Sequence, residues 1–371
     1  IVSDEILKNK SRIERDTVNL IQKLIKNVKS GDLSREKSDL LLAAIDFLRP
    51  QAEARMPKYL TAAIHILNRF KPSAIVSIDV ADPRNRVFTL LANKLGVPVI
   101  QVQAGAINQE CIEWSFCYDD LMLSHGPQIK PQLARLGFDT SRVVETGSAK
   151  LEKVINTSYG EEISLKSRFK MDESASVLLF LTSYTDLFDT QDGMSDQHRV
   201  YNEIYFSVVN EVSKRKNLSL VIKPHPLEKP HQIAQHNNIA SKYENVFVGD
   251  ASDRTSEMIV ASDVVISFGS TATIDAVILG KPTICPKFEN FLLNEYFNKS
   301  GAVLIPTNVA ELSGILDVVM SGDMSQLEEV CAEGRRGFLA NFSNLDSSAS
   351  KAILSNIYSS ISDFDSNSVN S

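Results

Sequence analysis

The chain reads as an α/β protein: an N-terminal helical segment followed by two Rossmann-like domains facing across a cleft. Two observations predict this. Short apolar runs alternate with helical patterns twice over, with a charged interruption between the two series, which is the β-α-β-α signature of parallel sheets. The runs are apolar on both alternating positions, as strands covered on both faces require. At 371 residues the chain exceeds the usual size of one domain and holds enough apolar sequence for two cores.

Residues 1–70 read as helical. Ile13, Leu20, Ile21, Leu24, Ile25 and Val28 recur at helical spacing, with Thr17 filling the gap on that face. Lys23, Lys26 and Lys29 lie between them. Both a helix at a membrane surface and a core-facing helix with solvated lysines fit this pattern; Glu14 and Asp16 interrupt the positive face and favour the second. "SGDLS" ends that helix, and a second helical region runs from about Glu36 to Asn68.

The first Rossmann-like domain covers residues 71–160. "SAIVSID", "VPVIQVQAG", "DLMLSHG" and "RVVETGS" read as its strands, and "RVFTLLANKLG" and "PQIKPQLARLG" as helices between them, the first stopped by Gly96. Asn156 to Ser174, charged and Ser/Gly-containing, reads as a linker. The second domain covers 173–345, with strands in "SVLLFLTS", "LSLVIKPHP", "NVFVGD", "DVVISFGS", "PTICPK" and "AVLIP". Residues 346–371 read as a terminal helix and, from about Ser360, a disordered Ser/Asn/Asp-rich tail.

Composition narrows the function classes. A net charge of −7 argues against a general nucleic-acid binder, while leaving room for a local basic groove. Cys111, Cys117, Cys285 and Cys331 have no metal or disulfide spacing and read as reduced thiols of a cytoplasmic protein. No apolar run approaches the roughly 20 residues a membrane span needs. The chain starts at Ile1 without a signal-like segment and reads as a piece of a longer protein.

Two stretches carry the strongest chemical signals. In "VIKPHPLEKPH" a buried strand ends on Lys223 and His225, held between prolines that fix the backbone. In "SDVVISFGSTATIDAVILGKPTI" a buried strand ends at Gly269-Ser270-Thr271 and a helix begins at once. A glycine, two hydroxyls and open N–H groups at a helix start suit a phosphate, as does a plain Ser/Thr cap. The absence of GK[ST] excludes a Walker A loop. In the first domain, Asp79, Asp82, Glu110 and His125 follow strand ends and are candidate general bases. Spacing does not gather His225, His231 and His236 on one helix face, so no metal cluster is expected.

Three stretches give the chain a family resemblance. "SDVVISFGSTATIDAVILGKPTI" resembles the segment with which GT-B glycosyltransferases of bacterial surface-polysaccharide synthesis grip the donor's nucleotide phosphates. "IKPHP" resembles the K-x-H-P motif of nucleotide-sugar transferases and CDP-glycerol glycerophosphotransferases. "VFTLLANKLGVPVIQVQAGAI" with "VVETGSAKLEKV" resembles the N-terminal domain shared with UDP-N-acetylglucosamine 2-epimerases. The resemblance spans about Ser73 to Ser359.

That resemblance implies a GT-B fold and a metal-independent, inverting glycosyltransferase that uses no cofactor beyond its nucleotide-activated sugar. The acceptor would be a glycan or a lipid-linked glycan, at the inner face of a membrane or in the cytoplasm. Lys223, His225, Gly269, Ser270 and Thr271 would hold the donor phosphates, Asp275 would reach a donor ribose, and Ser183 and Tyr184 would line the cleft. Asp79 or Asp82 would deprotonate the acceptor. The chain departs from the epimerases, which keep a Glu where it has Gln103, and from related transferases with His-Gly where it has Ala104-Gly105. A CDP-glycerol-type transferase, a 2-epimerase and a non-catalytic binding protein are the competing readings.

Overall fold

A computed structural model describes residues 4–31, 34–80, 82–105, 119–156, 164–183, 196–289, 291 and 295–368. Helices α1 (Asp4–Ser30) and α2 (Arg35–Phe70) pack against each other at the N-terminus. The Ser34 side chain starts α2 by accepting from the Lys37 N–H. The helix continues through Pro50 and Pro57, and the Thr61 hydroxyl bonds back to the Pro57 carbonyl. The apolar face of α1 divides: Val28 is buried, Ile13, Thr17, Ile21 and Ile25 are half-buried, and Leu20 and Leu24 are exposed. Leu40 and Phe47 of α2 are exposed too. Among the described residues no helix is long and apolar enough to cross a membrane.

The next elements are β1 (Ile75–Ser77), α3 (Pro83–Lys94), β2 (Val99–Val102), β3 (Leu121–Ser124), α4 (Ile129–Arg135), β4 (Val143–Glu145) and α5 (Ala149–Ile155). The four strands form one parallel sheet in the order β1-β2-β3-β4, with Val76 beside Ile100, Ile100 beside Leu121 and Met122 beside Val143. Parallel pairing follows from the crossover connections.

The second domain contains α6 (Leu165–Phe169), β5 (Ser176–Leu181), α7 (Asp196–Ser213), β6 (Leu218–Lys223), α8 (Pro230–Ala240), β7 (Val246–Val248), α9 (Thr255–Val260), β8 (Val264–Ile266), α10 (Thr271–Ile278), β9 (Thr283–Ile284), α11 (Glu295–Asn298), α12 (Val309–Met320) and α13 (Ser325–Leu339). Its parallel sheet has the order β7-β6-β5-β8-β9. Every residue of β6 is buried, which explains why its run up to Lys223 is apolar but for Ser219. "AVLIP" forms a single parallel bridge, Leu304 to Ile284, rather than a full strand. Part of the expected linker belongs to this domain: Leu165 of α6 is buried with Val177, Leu179 and Leu181 of β5.

After α13 the chain crosses back. Phe338 and Phe342 pack with Leu151 of α5 and with Ile274 and Val277 of α10, forming an apolar block shared by both domains. The last helix, α14 (Ala349–Ser368), sets Ile353 against Ile100 and Leu123 of the first sheet. It continues past Ser360, where composition reads as a disordered tail. Two glycines admit the crossing backbone. A Cβ on Gly126 would lie 2.0 Å from the Asn341 oxygen, and one on Gly147 (φ +77) 2.4 Å from the Ser343 oxygen.

Candidate functional site

In the second sheet the strand order reverses between β5 and β8. In open parallel sheets the crevice beyond the strand ends at such a reversal is where ligands sit. Thr182 follows β5 there, Lys223 ends β6 and leads into Pro224-His225-Pro226, and Ser267 to Ser270 lead from β8 into α10. Together with α5 of the first domain they enclose a cleft of about 430 Å³. Six residues singled out by sequence line or border it: Lys223, His225, Ser270, Thr271 and Asp275 line it, and Gly269 stands next to Ser270 with φ +75, which lets the chain turn into the helix.

Ser270 is the N-cap of α10 and makes no side-chain capping bond, so the exposed hydroxyls of Ser270 and Thr271 stand at the helix start in the cleft wall. The turn beneath is braced by Ser267, whose hydroxyl lies 2.8 Å from that of Thr273. The helix dipole and N–H groups make this wall favourable to an anion.

The geometry of His225 fixes what it can do. Its backbone N–H donates to the Thr182 hydroxyl and to Glu228 Oε1, each at 3.0 Å. Its ring Nδ1 accepts from the Leu227 N–H at 3.1 Å, so in the neutral ring the proton resides on Nε2. Burial, helped by the Lys223 charge and opposed by Glu228, lowers the imidazole pKa. His225 is therefore a neutral N–H donor near neutral pH.

Beneath it lies a buried network that the sequence did not announce. Glu228 accepts from the Thr182 hydroxyl and from His236 Nε2 at 2.8 Å, and His236 Nδ1 lies 2.8 Å from the Tyr205 hydroxyl. Burial alone would raise the Glu228 carboxyl, but bonds from His236, Thr182 and the His225 N–H outweigh it and hold the pKa below its ordinary value. The only signal in the chain was the spacing of Glu228 and His236 behind the His-Pro turn. Among the described residues no three His, Cys, Asp or Glu side chains gather as a metal site.

Lys223 is buried, and its ammonium donates to the carbonyls of Pro224 and Ala251 at 3.2 and 3.1 Å. It ties two loops together while placing positive charge in the cleft. Burial lowers its pKa against the pull of Asp253 and Asp250. Two further cations come from the first domain: Lys150 and Lys153 of α5 both line the cleft. Lys150 lies 3.2 Å from Asp275 Oδ2.

The first-domain candidates are placed differently. Asp82 caps α3 and is gripped by Arg84, whose hydrogen bonds hold its pKa down at about 2. The Asp79 carboxylate accepts from the Asp82 N–H at 3.2 Å. Neither is among the residues lining the cleft. His125 is buried with Nε2 2.8 Å from the Gln103 carbonyl, and burial lowers its pKa to about 4, so it has a structural role. Gln103 is itself committed: Oε1 accepts from the His125 N–H and Nε2 donates to the Gly105 carbonyl. That clamp holds Gly105 against α10, where its Cβ would meet the Thr271 methyl carbon at 3.4 Å. Ser183 donates its backbone N–H to the buried Tyr201 hydroxyl, and its neighbour Thr182 lines the cleft in its stead. Tyr184, Glu110, Cys111 and Cys117 lie outside the described residues.

No family model matches the chain, and no curated protein matches it by sequence. Solved structures do match it. UDP-GlcNAc 2-epimerase from Neisseria meningitidis, bound to UDP-GlcNAc, superposes with a TM-score of 0.60 at 16% identity, over 83% of this chain and 81% of its own. HepE from Anabaena, in complex with UDP and glucose, gives 0.54 at 9% identity over 85% and 89%. A glycosyltransferase from Rickettsia africae gives 0.51 at 13% identity over 82% and 80%. The chain has a GT-B fold. It shares that fold with the UDP-GlcNAc 2-epimerase superfamily and with glycosyltransferases, as the resemblance of its sequence motifs implies.

Proposed function

We propose that the chain is a nucleotide-sugar-dependent glycosyltransferase. The second domain holds the diphosphate of the donor, and the sugar passes to a glycan or lipid-linked acceptor presented by the first domain, with inversion. The observation that carries this reading is the convergence of a neutral His225 Nε2–H donor, the Lys223 charge and the open start of α10 on one cleft. All three suit the charge that develops on a departing phosphate, and fixed donors of this kind stabilise it without reorganising. Proton removal from the acceptor hydroxyl falls to a first-domain carboxylate. Asp82, held at about 2 by Arg84, is too weak a base, which leaves Asp79, two residues beyond β1 and outside the lining of the cleft, as the proposed base.

Support for transfer over epimerisation comes from Gln103. The resemblance places a Glu there in the epimerases, whereas the amide of Gln103 cannot serve as an acid or a base, and both its polar atoms are engaged with His125 and Gly105. A thermal-shift panel of UMP, UDP, CMP, CDP, GDP and dTDP tests the donor site, because a ligand of the native state raises the melting temperature by mass action. One diphosphate stabilising the protein, with the effect lost in His225→Ala, is the expected result. CDP alone stabilising it would favour the CDP-glycerol-type reading, and no nucleotide doing so would favour a non-catalytic binding protein.

A further inference from the structure

Asp275 sits on the second turn of α10, 4% exposed, in the wall of the cleft. Its Oδ2 lies 3.2 Å from the Lys150 ammonium, and its Oδ1 is buried with no hydrogen-bond partner. A buried carboxylate oxygen left unpaired is costly, and it calls for a donor that the protein does not supply. Lys150 reaches it from the other domain. Its neighbour Leu151 is locked in the apolar block with Ile274 and Val277, so the α5 backbone is fixed against α10 while the half-exposed lysine side chain is free to swing.

We propose that Lys150 is a transferable cation. With the cleft empty it pairs with Asp275; with a nucleoside diphosphate bound it passes to the phosphates at the start of α10, and ligand hydroxyls take its place on Asp275. This deepens the donor-site reading and rests on it. The exchange makes the cleft selective for a ligand that carries both hydroxyl donors and a diphosphate. A monophosphate is too short to draw the lysine away from its carboxylate, and a bare pyrophosphate leaves the buried carboxylate unpaired.

The test is calorimetric binding of UDP, UMP and inorganic pyrophosphate to the wild type, Lys150→Met, Lys150→Arg, Asp275→Asn and the Lys150→Met/Asp275→Asn double variant. The double variant guards against misfolding from an unpaired buried carboxylate. Wild type prefers UDP to UMP, and loss of one charge-assisted contact reduces that preference about tenfold or more in Lys150→Met and in the double variant. Lys150→Arg keeps the preference. Asp275→Asn binds pyrophosphate more tightly than wild type, because the lysine is released in advance. The inference is overturned if Lys150→Met weakens UDP and UMP equally, or leaves both unchanged, while the wild type binds UDP. If the wild type binds none of the three, the same series is run with the nucleoside diphosphate and monophosphate that stabilise it in the thermal-shift panel; if no nucleotide of that panel binds, the donor-site reading itself fails and takes the inference with it.

Discussion

Replacing Glu228 by Gln removes the charge at the centre of the network under the His-Pro turn while keeping its shape. In the native protein the carboxylate accepts from the buried His236 and Thr182 and from the N–H of the half-buried His225. An amide offers one acceptor oxygen in place of two, so at least one buried donor is left facing an NH₂ group. The cost of a broken buried charged network is about 3–5 kcal/mol. For domains of this size each kcal/mol lowers the midpoint by roughly 2–4 °C, which places the expected fall near 10 °C. The sign of the pH dependence follows from the lowered carboxyl pKa. The contribution is present in full above the ordinary value of 4.5 and is lost as pH falls through the lower folded-state value. Thermal unfolding of wild type and Glu228→Gln from pH 7 down to pH 4 reads both effects: the gap between them is widest at pH 7 and narrows on acidification. Because the same carboxylate anchors the His225 backbone, nucleotide binding weakens in the variant as well. A midpoint within 1 °C of wild type at pH 7 would refute the claim that this network sets the turn.

Other perturbations separate the remaining roles. His225→Ala removes the Nε2–H donor and should lower turnover by about 10²–10³, with a smaller change in stability, measured by donor turnover in parallel with melting. Gly126→Ala places a methyl 2.0 Å from the Asn341 oxygen; it should lower the midpoint by several degrees and loosen the return of α14, as read by protease sensitivity after residue 340. His125 has its pKa lowered to about 4 by burial, so the unfolded chain binds the extra proton between about 6.5 and 4. Stability should therefore rise with pH across that window, and His125→Gln should flatten the slope. Asp79→Asn should reduce transfer to an acceptor while leaving nucleotide affinity within twofold.

How much of this was legible in the chain depends on whether the cause was local. The strands and the two parallel sheets were, because β6 and β5 are largely buried on both faces and, apart from Ser219 and Ser176, run apolar up to Lys223 and Thr182. The cleft wall at the start of α10 was legible because a strand end, a glycine at positive φ and a Ser/Thr helix start follow one another closely in the chain. The path of α14 was not, since nothing in "SSISDFDS" says that a sheet face awaits Ile353 upstream of it. Lys150 was equally hidden. It is one lysine on a seven-residue helix, with no spacing to distinguish it from the solvated lysines of α1, and its meaning comes from a carboxylate 125 positions later that the fold brings within 3.2 Å. On the proposed reading, the motif residues mark where an anion binds. Under the Lys150 proposal, which anion binds is set by the residue that must let go of Asp275 to meet it, and that residue lies on the other domain. Selectivity in this cleft would then be a property of how the two domains are joined, through Leu151, Phe338 and Phe342, as much as of the loop that carries His225.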